Sequence, residues 1–410
     1  MHILVIGAGV IGLTSAWYLS RDGHQVTLLD RNDGPGLGTS FGNAGGVCPG
    51  FAGPWAAPGM PFKALRWMFQ SQAPLKVRPR MDLAQWAWLA QFVLNCSSAR
   101  FGQNKTRMQK VAHFSKACLQ ELRGETGIEY DQRTEGVLQV FSTDEEAEGG
   151  ARSAAVLEQL GIPHQLLSSG DLTRVEPALA ASGQTFSGGL HLTTDEIGDC
   201  HKFCQELARL ISAQGACRIQ YGTTVQKLLT ESGKIIGVQS DKGDFQADAV
   251  VIAAGPWARA LLDPLGVKVP LYPVKGYSIT AEITDLEYAP RSSVMDEHSK
   301  VMVTRLGNRI RAAGIAELAG FDASLPTATI DALRHRVAEL FPGAADYGSS
   351  KIWCGFRPMT PDGPSITEAR GFSNLWLNVG HGSNGWTQAC GTGQLLANRV
   401  AGRPTPEIEC

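Results

Sequence analysis

The first 30 residues constrain the fold most, because they set a glycine-rich turn between two short apolar segments. Residues 3–6 predict a buried strand and residues 26–29 a second one, and the helix between them opens on the motif Gly7-x-Gly9-x-x-Gly12. Short apolar runs of this kind are typical of parallel strands that are covered on both faces. Strand, glycine turn, helix and strand in this order predict a dinucleotide-binding βαβ unit.

Each glycine of the motif has its own role in such a unit. Gly7 permits the tight turn, Gly9 lets the backbone approach a pyrophosphate at the helix N-terminus, and Gly12 lets helix and strand pack closely. Asp30, 18 residues after Gly12, is placed to accept hydrogen bonds from a ribose 2′-hydroxyl. A carboxylate there disfavours NADP, because it would repel the 2′-phosphate. The alternative is a glycine turn that binds no ligand.

A second glycine-rich segment, residues 38–47, bears on the choice between FAD and NAD. Its small side chains and free N–H groups suit the rest of a pyrophosphate, a ribityl chain and a flavin ring, which an NAD site does not need. The chain holds 47 glycines, well above the roughly 29 that average usage predicts. Because glycine is used where backbone approaches a ligand closely, the segment favours FAD. A flexible surface loop is the alternative.

Two later strands also end in glycine turns, at residues 250–255 and 378–387. Ligands of doubly wound sheets bind at the carboxyl ends of strands, and N–H groups of the second turn suit a flavin pyrimidine edge. The alternative for either alone is an ordinary strand-to-helix turn. The predicted cofactor-binding residues are Gly7, Gly9, Val10, Ile11, Gly12, Asp30, Arg31, Thr39, Ser40, Asn43, Ala44, Gly45, Gly46, Val47, Val225, Ala254, Gly255, Gly382, Ser383, Asn384, Gly385, Trp386 and Thr387.

The order of predicted elements indicates an α/β chain with a second domain inserted. The ends alternate strands and helices, whereas residues 271–283 and 301–314 alternate like antiparallel strands. We therefore predict a discontinuous, doubly wound, Rossmann-like FAD-binding domain formed by residues 1–60, 185–262 and 350–410. An α+β substrate domain built on an antiparallel sheet is predicted from residues 61–184 and 263–349.

Composition excludes several function classes. Lysine and arginine total 37 against 39 acidic residues, a net charge of −2, and no basic run is present, so no nucleic-acid partner is expected. The nine cysteines form no C-x-x-C pair and no zinc ligand set, so no metal site is expected. Residues 40–62 carry no charge, but their prolines and glycines exclude a continuous membrane-spanning helix. No charged segment precedes residues 3–6, so no secretory signal and a cytoplasmic location are expected.

The chain as a whole resembles a known family. The segments that carry the resemblance are residues 5–12 with 15–19, 39–40 with 43–45, 54–59, 272–278, 308–311, 357–363, and 380–382 with 385–387. With these segments the sequence is similar to the bacterial FAD-dependent D-amino-acid dehydrogenases (small-subunit type) of the glycine oxidase/D-amino-acid oxidase superfamily. It departs from the family pattern at Ser299 and at residues 364–369, which bears on the substrate rather than on the reaction.

The resemblance implies a reaction and an electron acceptor. The family oxidises a D-amino acid by hydride transfer from Cα to flavin N5, and water then releases a 2-oxo acid and ammonia. It delivers the electrons to a quinone or another respiratory acceptor, which implies a peripheral position on the cytoplasmic face of the inner membrane. Alternatives are an oxidase that uses oxygen, an enzyme for a cyclic imino acid such as D-proline or hydroxy-D-proline, and a non-catalytic nucleotide-binding regulator.

Three residues are the candidates for the reaction site. Arg357 matches the carboxylate-binding arginine of the superfamily and would pair with the substrate through two parallel hydrogen bonds; a structural pair with Asp362 is the alternative. Tyr277 would add a hydroxyl to the substrate carboxylate or line the pocket, and packing in the core is the alternative. His381 would lie beside the flavin, bonded to the ring or merely packed, and is not assigned as a base.

The region between Trp55 and Phe92 is unusually rich in aromatic residues. Basic residues are interleaved with them, a combination that suits a membrane interface and equally suits a lid or a domain interface. The residues concerned are Trp55, Phe62, Trp67, Phe69, Trp86, Trp88 and Phe92, with Lys63, Arg66, Lys76, Arg78 and Arg80.

Overall fold

The computed structural model of the protein describes residues 1–67, 74–159 and 161–405. Its strands are β1 (His2–Ile6), β2 (Gln25–Leu29), β3 (Gly46–Val47), β4 (Leu75–Val77), β5 (Val137–Phe141), β6 (Gln165–Leu167), β7 (Gly188–Leu192), β8 (Glu196–Ile197), β9 (Cys217–Gln220), β10 (Val225–Glu231), β11 (Lys234–Ser240), β12 (Gly243–Gln246), β13 (Ala249–Ile252), β14 (Tyr272–Glu282), β15 (Ser293–Asp296), β16 (Val301–Leu306), β17 (Arg309–Leu318), β18 (Lys351–Met359), β19 (Ile366–Ala369) and β20 (Leu375–Val379). Its helices are α1 (Val10–Arg21), α2 (Met60–Trp67), α3 (Leu83–Asn95), α4 (Ser98–Thr126), α5 (Asp144–Gln159), α6 (Leu172–Val175), α7 (Cys200–Ala213), α8 (Ala258–Leu262), α9 (Thr327–Leu340) and α10 (Gly385–Val400).

A six-stranded sheet forms the first layer and confirms the predicted Rossmann-like fold. Its order is β19-β20-β13-β1-β2-β9, and every pairing is parallel except that of the edge strand β19. Alternate residues of β1 point to opposite faces, Ile3 and Val5 to one core and Leu4 and Ile6 to another. Helices α1, α4, α7 and α10 cover the first face, and the three-stranded sheet β10-β11-β12 with α8 covers the second.

A larger, mostly antiparallel sheet forms the second layer. Its order is β18-β14-β17-β16-β15-β5-β7-β6, with β4 paired to β17. Helix α9 packs its apolar side, including Leu333 and Val337, against one face of this sheet. The other face of β14, β17 and β18 is turned toward the glycine-rich segments of the first layer, so the two sheets enclose space between them.

The sheet pairing divides the chain at places other than the predicted boundaries. Strands β7 and β18 fall in segments predicted for the FAD-binding domain, but both belong to the nine-stranded sheet. Helix α4 falls in a segment predicted for the substrate domain, but Leu119 and Leu122 pack in the core beside α1 and α10. Sheet membership is decided by partners distant in sequence, which a local pattern does not contain.

Candidate active site

The first cavity lies at the carboxyl ends of β1, β2, β13 and β20. It has a volume of about 320 Å³, and the glycine motif, Asp30, the turn after β13 and the late glycine turn contribute to its wall. This is the position at which doubly wound sheets bind nucleotides. Segments that are far apart in the chain therefore meet at one edge of the sheet.

The three motif glycines differ in what a side chain would meet. Gly7 has a φ of +111°, and a Cβ there would lie 2.6 Å from the carbonyl oxygen of Ala253. A Cβ at Gly12 would lie 1.7 Å from the carbonyl oxygen of Gly7, so helix and turn touch directly. A Cβ at Gly9 would meet only Ser40 Oγ, at 3.4 Å. Gly9 is thus the motif glycine whose missing side chain leaves room for a ligand.

Charged and aromatic groups border the ribose end of this cavity. The Asp30 carboxylate accepts hydrogen bonds from the amides of Ala8 (2.5 Å) and Asn32 (2.8 Å). The guanidinium of Arg31 lies 3.7 Å from the centre of the Trp257 ring. Both Asp30 and Arg31 contribute to the cavity wall. The carboxylate is therefore held rigidly at the end of β2, as a ribose-binding group must be.

The segment 38–47 is an ordered wall and not a flexible surface loop. Ser40 Oγ accepts a hydrogen bond from the amide of Val10 (3.1 Å), and the Thr39 hydroxyl donates to the carbonyl of Phe356 (2.7 Å). The carbonyl of Asn43 accepts from the buried guanidinium of Arg311 (3.0 Å). The segment thereby connects the N-terminus of α1 with the nine-stranded sheet.

A second cavity, of about 650 Å³, continues from the first. It is enclosed by the segment 42–57, the turn at residues 382–387 and the strands β14, β16, β17 and β18. Thr39, Asn43 and Gly382 line both cavities, so the two form one elongated site. The N-terminus of α1, whose N-cap residue Gly9 has no side chain, suits the pyrophosphate of FAD. The held carboxylate suits its ribose, and the wall of glycine backbone suits its ring.

Most predicted cofactor-binding residues line one of the two cavities. Three do not: Gly12 packs on Gly7, Gly45 has a φ of +93° within its turn, and Val47 is buried in the core. Other residues lie on the wall of the first cavity without having been predicted. They include Asn32, Thr223, Thr224, Ala253, Trp257, Pro358 and Asn378. Thr223 and Thr224 follow β9, and recognition of that strand as a member of the parallel sheet would have indicated them.

Arg357 is the charged group that faces the second cavity from β18. Its Nη1 donates to the carbonyl oxygens of Lys275 and Ile315, each at 3.4 Å, and its guanidinium lies 6.0 Å from the Trp55 ring centre. In the part of the chain that the structure describes, no carboxylate forms an ion pair with it, so the predicted alternative of a pair with Asp362 is wrong. Burial lowers the pKa of Arg357 to about 10, which leaves it charged at neutral pH. A cation that faces a cavity without an anion is suited to bind one.

Tyr277 contributes to the wall of the second cavity, but its side chain points to the other face of the sheet, so its hydroxyl does not reach the site at Arg357. Val274 is the cross-strand partner of Arg357, and residues of odd number on β14 point away from that side. The Tyr277 ring packs in the core beneath α9, and its hydroxyl donates to Glu317. The predicted contact of its hydroxyl with the substrate carboxylate is therefore wrong, whereas the two other predicted positions, in the cavity wall and in the core, agree with the structure.

His381 is buried beside the late glycine turn. It is 2% exposed, and its Nε2 lies 3.0 Å from the hydroxyl oxygen of Thr392 on α10. Burial lowers the pKa of His381 to about 3, so the ring is neutral at physiological pH. The residue contributes to the wall of the first cavity, where its ring is uncharged.

The buried ring should make the folded protein sensitive to acid. The folded-state pKa of His381 lies below its unfolded value, so the unfolded chain binds the extra proton and stability falls as pH drops below about 6.5. In the wild-type protein the free energy of unfolding should fall by about 1.4 kcal/mol per pH unit between pH 6.5 and 5 because of this residue. We expect that contribution to be absent in His381→Gln. Urea unfolding at several pH values measures this slope. Equal slopes in both proteins would contradict a neutral, buried His381.

The two departures from the family pattern lie in different places. Ser299 is in the turn between β15 and β16, where its hydroxyl donates to Asp296, and the adjacent Lys300 lines the second cavity. Residues 366–369 form β19 at the edge of the six-stranded sheet, and none of residues 364–369 lines either cavity. Only the departure at Ser299 therefore neighbours the space available to a substrate.

The aromatic region forms one wall of the second cavity and part of the protein surface. Trp55, Met60, Trp67 and Phe92 line the cavity, and the Trp88 indole donates to the carbonyl of Met359 (2.9 Å). Other apolar side chains are exposed: Phe62 by 81%, Leu65 by 56%, Leu83 by 89% and Trp86 by 52%. Phe69 lies outside the described residues. Across the described ranges, no helix combines the length and the apolar character needed to cross a membrane.

Known proteins with a similar sequence point to one family. A family model described as FAD dependent oxidoreductase matches residues 2–399. A Cereibacter sphaeroides protein named D-amino acid dehydrogenase is 49% identical over 409 residues, covering 100% of this chain and 93% of the relative. A protein of the same name from Bradyrhizobium diazoefficiens is 46% identical, covering 100% and 97%.

Solved structures show the same fold. Glycine oxidase from Bacillus cereus superposes with a TM-score of 0.75 at 19% identity, covering 98% of this chain and 96% of that structure. L-Proline dehydrogenase from P. horikoshii superposes with a TM-score of 0.76 at 19% identity, covering 100% and 95%. At this identity the likeness concerns the path of the backbone and not the substrate.

Proposed function

Because this chain belongs to the family of FAD-dependent oxidoreductases, we propose that it is a D-amino-acid dehydrogenase. Its substrate class is the one named for relatives that are 46% and 49% identical over the whole chain. The products are a 2-oxo acid and ammonia. The observation that carries the proposal is Arg357, a cation without a carboxylate partner in the described part of the chain, which faces a cavity continuous with the nucleotide cavity.

The residues of the chain bind and orient the substrate. FAD, when bound, accepts the two electrons that leave the substrate Cα. Arg357 binds the substrate carboxylate and thereby fixes the direction of the Cα–H bond, which is most of what such a reaction requires of the protein. Trp55 beside the guanidinium and Met302 near Gly46 give the cavity apolar walls that exclude water. Neither His381 nor Tyr277 is placed to act as a base.

Anaerobic mixing with single amino acids tests the proposed function. Purified, FAD-loaded protein is mixed with a panel of D- and L-amino acids and of cyclic D-imino acids, and the loss of flavin absorbance is followed for each. Reduction by D-amino acids, with little by their L-isomers, is expected. Reduction by D-proline alone would favour the cyclic alternative, and a bound flavin that no compound reduces would contradict the proposal.

We propose that a quinone in the membrane reoxidises the enzyme and that α2 and α3 contact the lipid on the cytoplasmic side. Helix α2 has no fully buried residue, although most of its residues are apolar. Phe62 and Leu65 are exposed beside the exposed cations Lys63 and Arg66. Apolar side chains beside cations are complementary to a bilayer of anionic lipid. The same helix supplies Met60 and Trp67 to the second cavity, so an apolar acceptor at this surface would lie close to the site.

Replacing exposed aromatic residues should weaken membrane binding without loss of turnover. We expect the double variant Phe62→Ser and Trp86→Ser to bind phosphatidylglycerol vesicles at least tenfold more weakly, because burial of even one large apolar side chain contributes about 1.5–3 kcal/mol. Co-sedimentation with vesicles measures this, and Leu286→Ser, which removes an apolar side chain exposed by 54% elsewhere, is the control. Equal weakening in the control would contradict the proposed surface. Release of hydrogen peroxide in place of quinone reduction would contradict the proposed acceptor.

A further inference from the structure

A buried polar cluster lies behind Arg357, on the opposite side of the nine-stranded sheet. This Glu317 cluster consists of the buried residues Lys275, Tyr277 and Glu317 and of Arg78, whose side chain is 53% exposed. Lys275 on β14 and Glu317 on β17 are cross-strand partners and are 0% and 1% exposed. The reaction proposed above uses none of these side chains directly.

Glu317 is the centre of the cluster. Its carboxylate accepts a hydrogen bond from the Tyr277 hydroxyl, pairs with Arg78 Nε, and lies 3.6 Å from the Lys275 ammonium. Lys275 has one more polar neighbour, the Ser324 hydroxyl at 3.4 Å. A buried ammonium is stable only beside a counter-charge, so the carboxylate holds Lys275 and its strand in place.

The cluster is joined to Arg357 through the backbone. The hydrogen bonds of Arg357 go to the carbonyl oxygens of Lys275 and Ile315. Lys275 thus binds Glu317 with its side chain and Arg357 with its carbonyl. Ile315 lies two residues before Glu317, at the point where the register of β14 and β17 shifts.

Ile315 has a conformation that needs support from its surroundings. Its φ is +55°, in the left-handed region that a β-branched residue rarely adopts. Such a strained conformation persists only where the surrounding interactions hold the backbone in it. β-Bulges occur beside active sites, where they redirect a chemical group toward the site. The bulge brings the Ile315 carbonyl to Arg357, and beyond it the regular ladder resumes with the pairs Gly276–Ala316 and Lys275–Glu317.

From this geometry we infer that Glu317 is a positioning residue for the carboxylate clamp, an inference that rests on the proposed function of Arg357. Glu317 fixes β14 and β17 in the bulged register in which two carbonyl oxygens hold the Arg357 guanidinium. Tyr277 and Arg78 support Glu317 and contact no substrate. The direction in which Arg357 presents its donors is therefore set from behind the sheet.

Carboxylate binding tests the inference independently of turnover. Propanoate, a carboxylate without an amine, is titrated into the FAD-loaded protein, and its affinity is read from the change in flavin absorbance. We expect Glu317→Gln to weaken propanoate and D-amino-acid binding by about 10- to 100-fold, the range that misplacement of a positioned group causes. The limiting rate of flavin reduction at saturating substrate should change far less. Tyr277→Phe should also weaken propanoate and D-amino-acid binding, but by a smaller factor. It takes the place of Glu317→Gln in the test if that variant does not fold.

Asp296→Asn is the matched control for a lost buried charge. Asp296 lies in the same sheet on β15, is 0% exposed and pairs with Arg336 at 2.7 Å. The variant should lower the thermal stability as Glu317→Gln does but leave propanoate affinity unchanged. In an Arg357→Ala background, Glu317→Gln should add nothing to the loss of substrate affinity.

The possible results separate the inference from the proposed function. If propanoate binds with the expected differences but no D-amino acid reduces the flavin, the proposed function fails and the role of Glu317 is supported. Equal propanoate affinities in wild type and Glu317→Gln overturn the inference, as do equal losses in Glu317→Gln and Asp296→Asn. An additive effect in the Arg357→Ala background also overturns it.

Discussion

Replacing Arg357 with alanine should raise the D-amino-acid concentration for half-maximal flavin reduction by about 100-fold or more, while the protein retains FAD. Truncating one partner of a buried charge pair costs about 2–5 kcal/mol, and 1.4 kcal/mol is about a factor of ten. Arg357 lines only the second cavity, so the nucleotide-binding wall is unaffected. The measurement is anaerobic flavin reduction at increasing substrate concentration, with the FAD content determined from the absorbance ratio.

Two further measurements separate a lost clamp from a damaged fold. Arg357→Lys keeps a charge but cannot form two parallel hydrogen bonds, so substrate affinity should recover only in part. Guanidinium ions added at millimolar concentration should partly restore reduction of the alanine variant, since the cavity left behind matches them. Unchanged substrate dependence in Arg357→Ala would show that the carboxylate is bound elsewhere.

Gly9→Val should yield a folded protein that lacks its yellow cofactor. The backbone at Gly9 has φ −73° and ψ 176°, which valine adopts without strain, and the first atom a Cβ meets is Ser40 Oγ at 3.4 Å. The added carbons would occupy space at the N-terminus of α1 that the pyrophosphate needs. We expect FAD affinity to fall by about 100-fold, with circular dichroism and thermal unfolding of the apoprotein close to those of wild-type apoprotein.

Two other glycines supply the comparisons for Gly9. A Cβ at Gly102 on α4 would have no neighbouring atom within 4 Å, so Gly102→Val should keep its FAD. Gly12→Ala should fail to fold, because its Cβ would lie 1.7 Å from a carbonyl oxygen of the turn. Normal FAD content in Gly9→Val would mean that the pyrophosphate does not lie at the start of α1.

Local patterns are sufficient for the elements that determine the nucleotide site. The glycine motif, Asp30 and the small residues after β13 follow strands whose type is evident from continuous apolar runs, and parallel strands bring their ends to one edge. The segment 38–47 forms a wall, as its composition predicts, because its polar residues have defined partners, as Ser40 has in Val10. The contact of Ser40 with the motif spans 30 residues, whereas Thr39 and Asn43 find their partners Phe356 and Arg311 far along the chain, and a local pattern does not name those partners.

Predictions that depend on the side of a strand or on distant pairing are less accurate. A period of two assigns Tyr277 and Val274 to opposite faces of β14, but it does not say which face meets the cavity. The domain boundaries fail for β7 and β18 because these strands find their partners across the chain. The bulge at Ile315 has no sequence signature, since the residue is one that disfavours a left-handed φ.

The interleaved order of the six-stranded sheet has a consequence for how the protein is made. Strand β1 pairs with β13, whose residues are translated 246 positions later, and β13 pairs with β20 near residue 375. During synthesis β1 can pair with β2 early, but its other edge must wait for β13, and contacts so distant in the chain form slowly. A nascent chain would acquire its cofactor only after nearly every residue has left the ribosome. FAD would therefore bind to the finished chain and not during its synthesis.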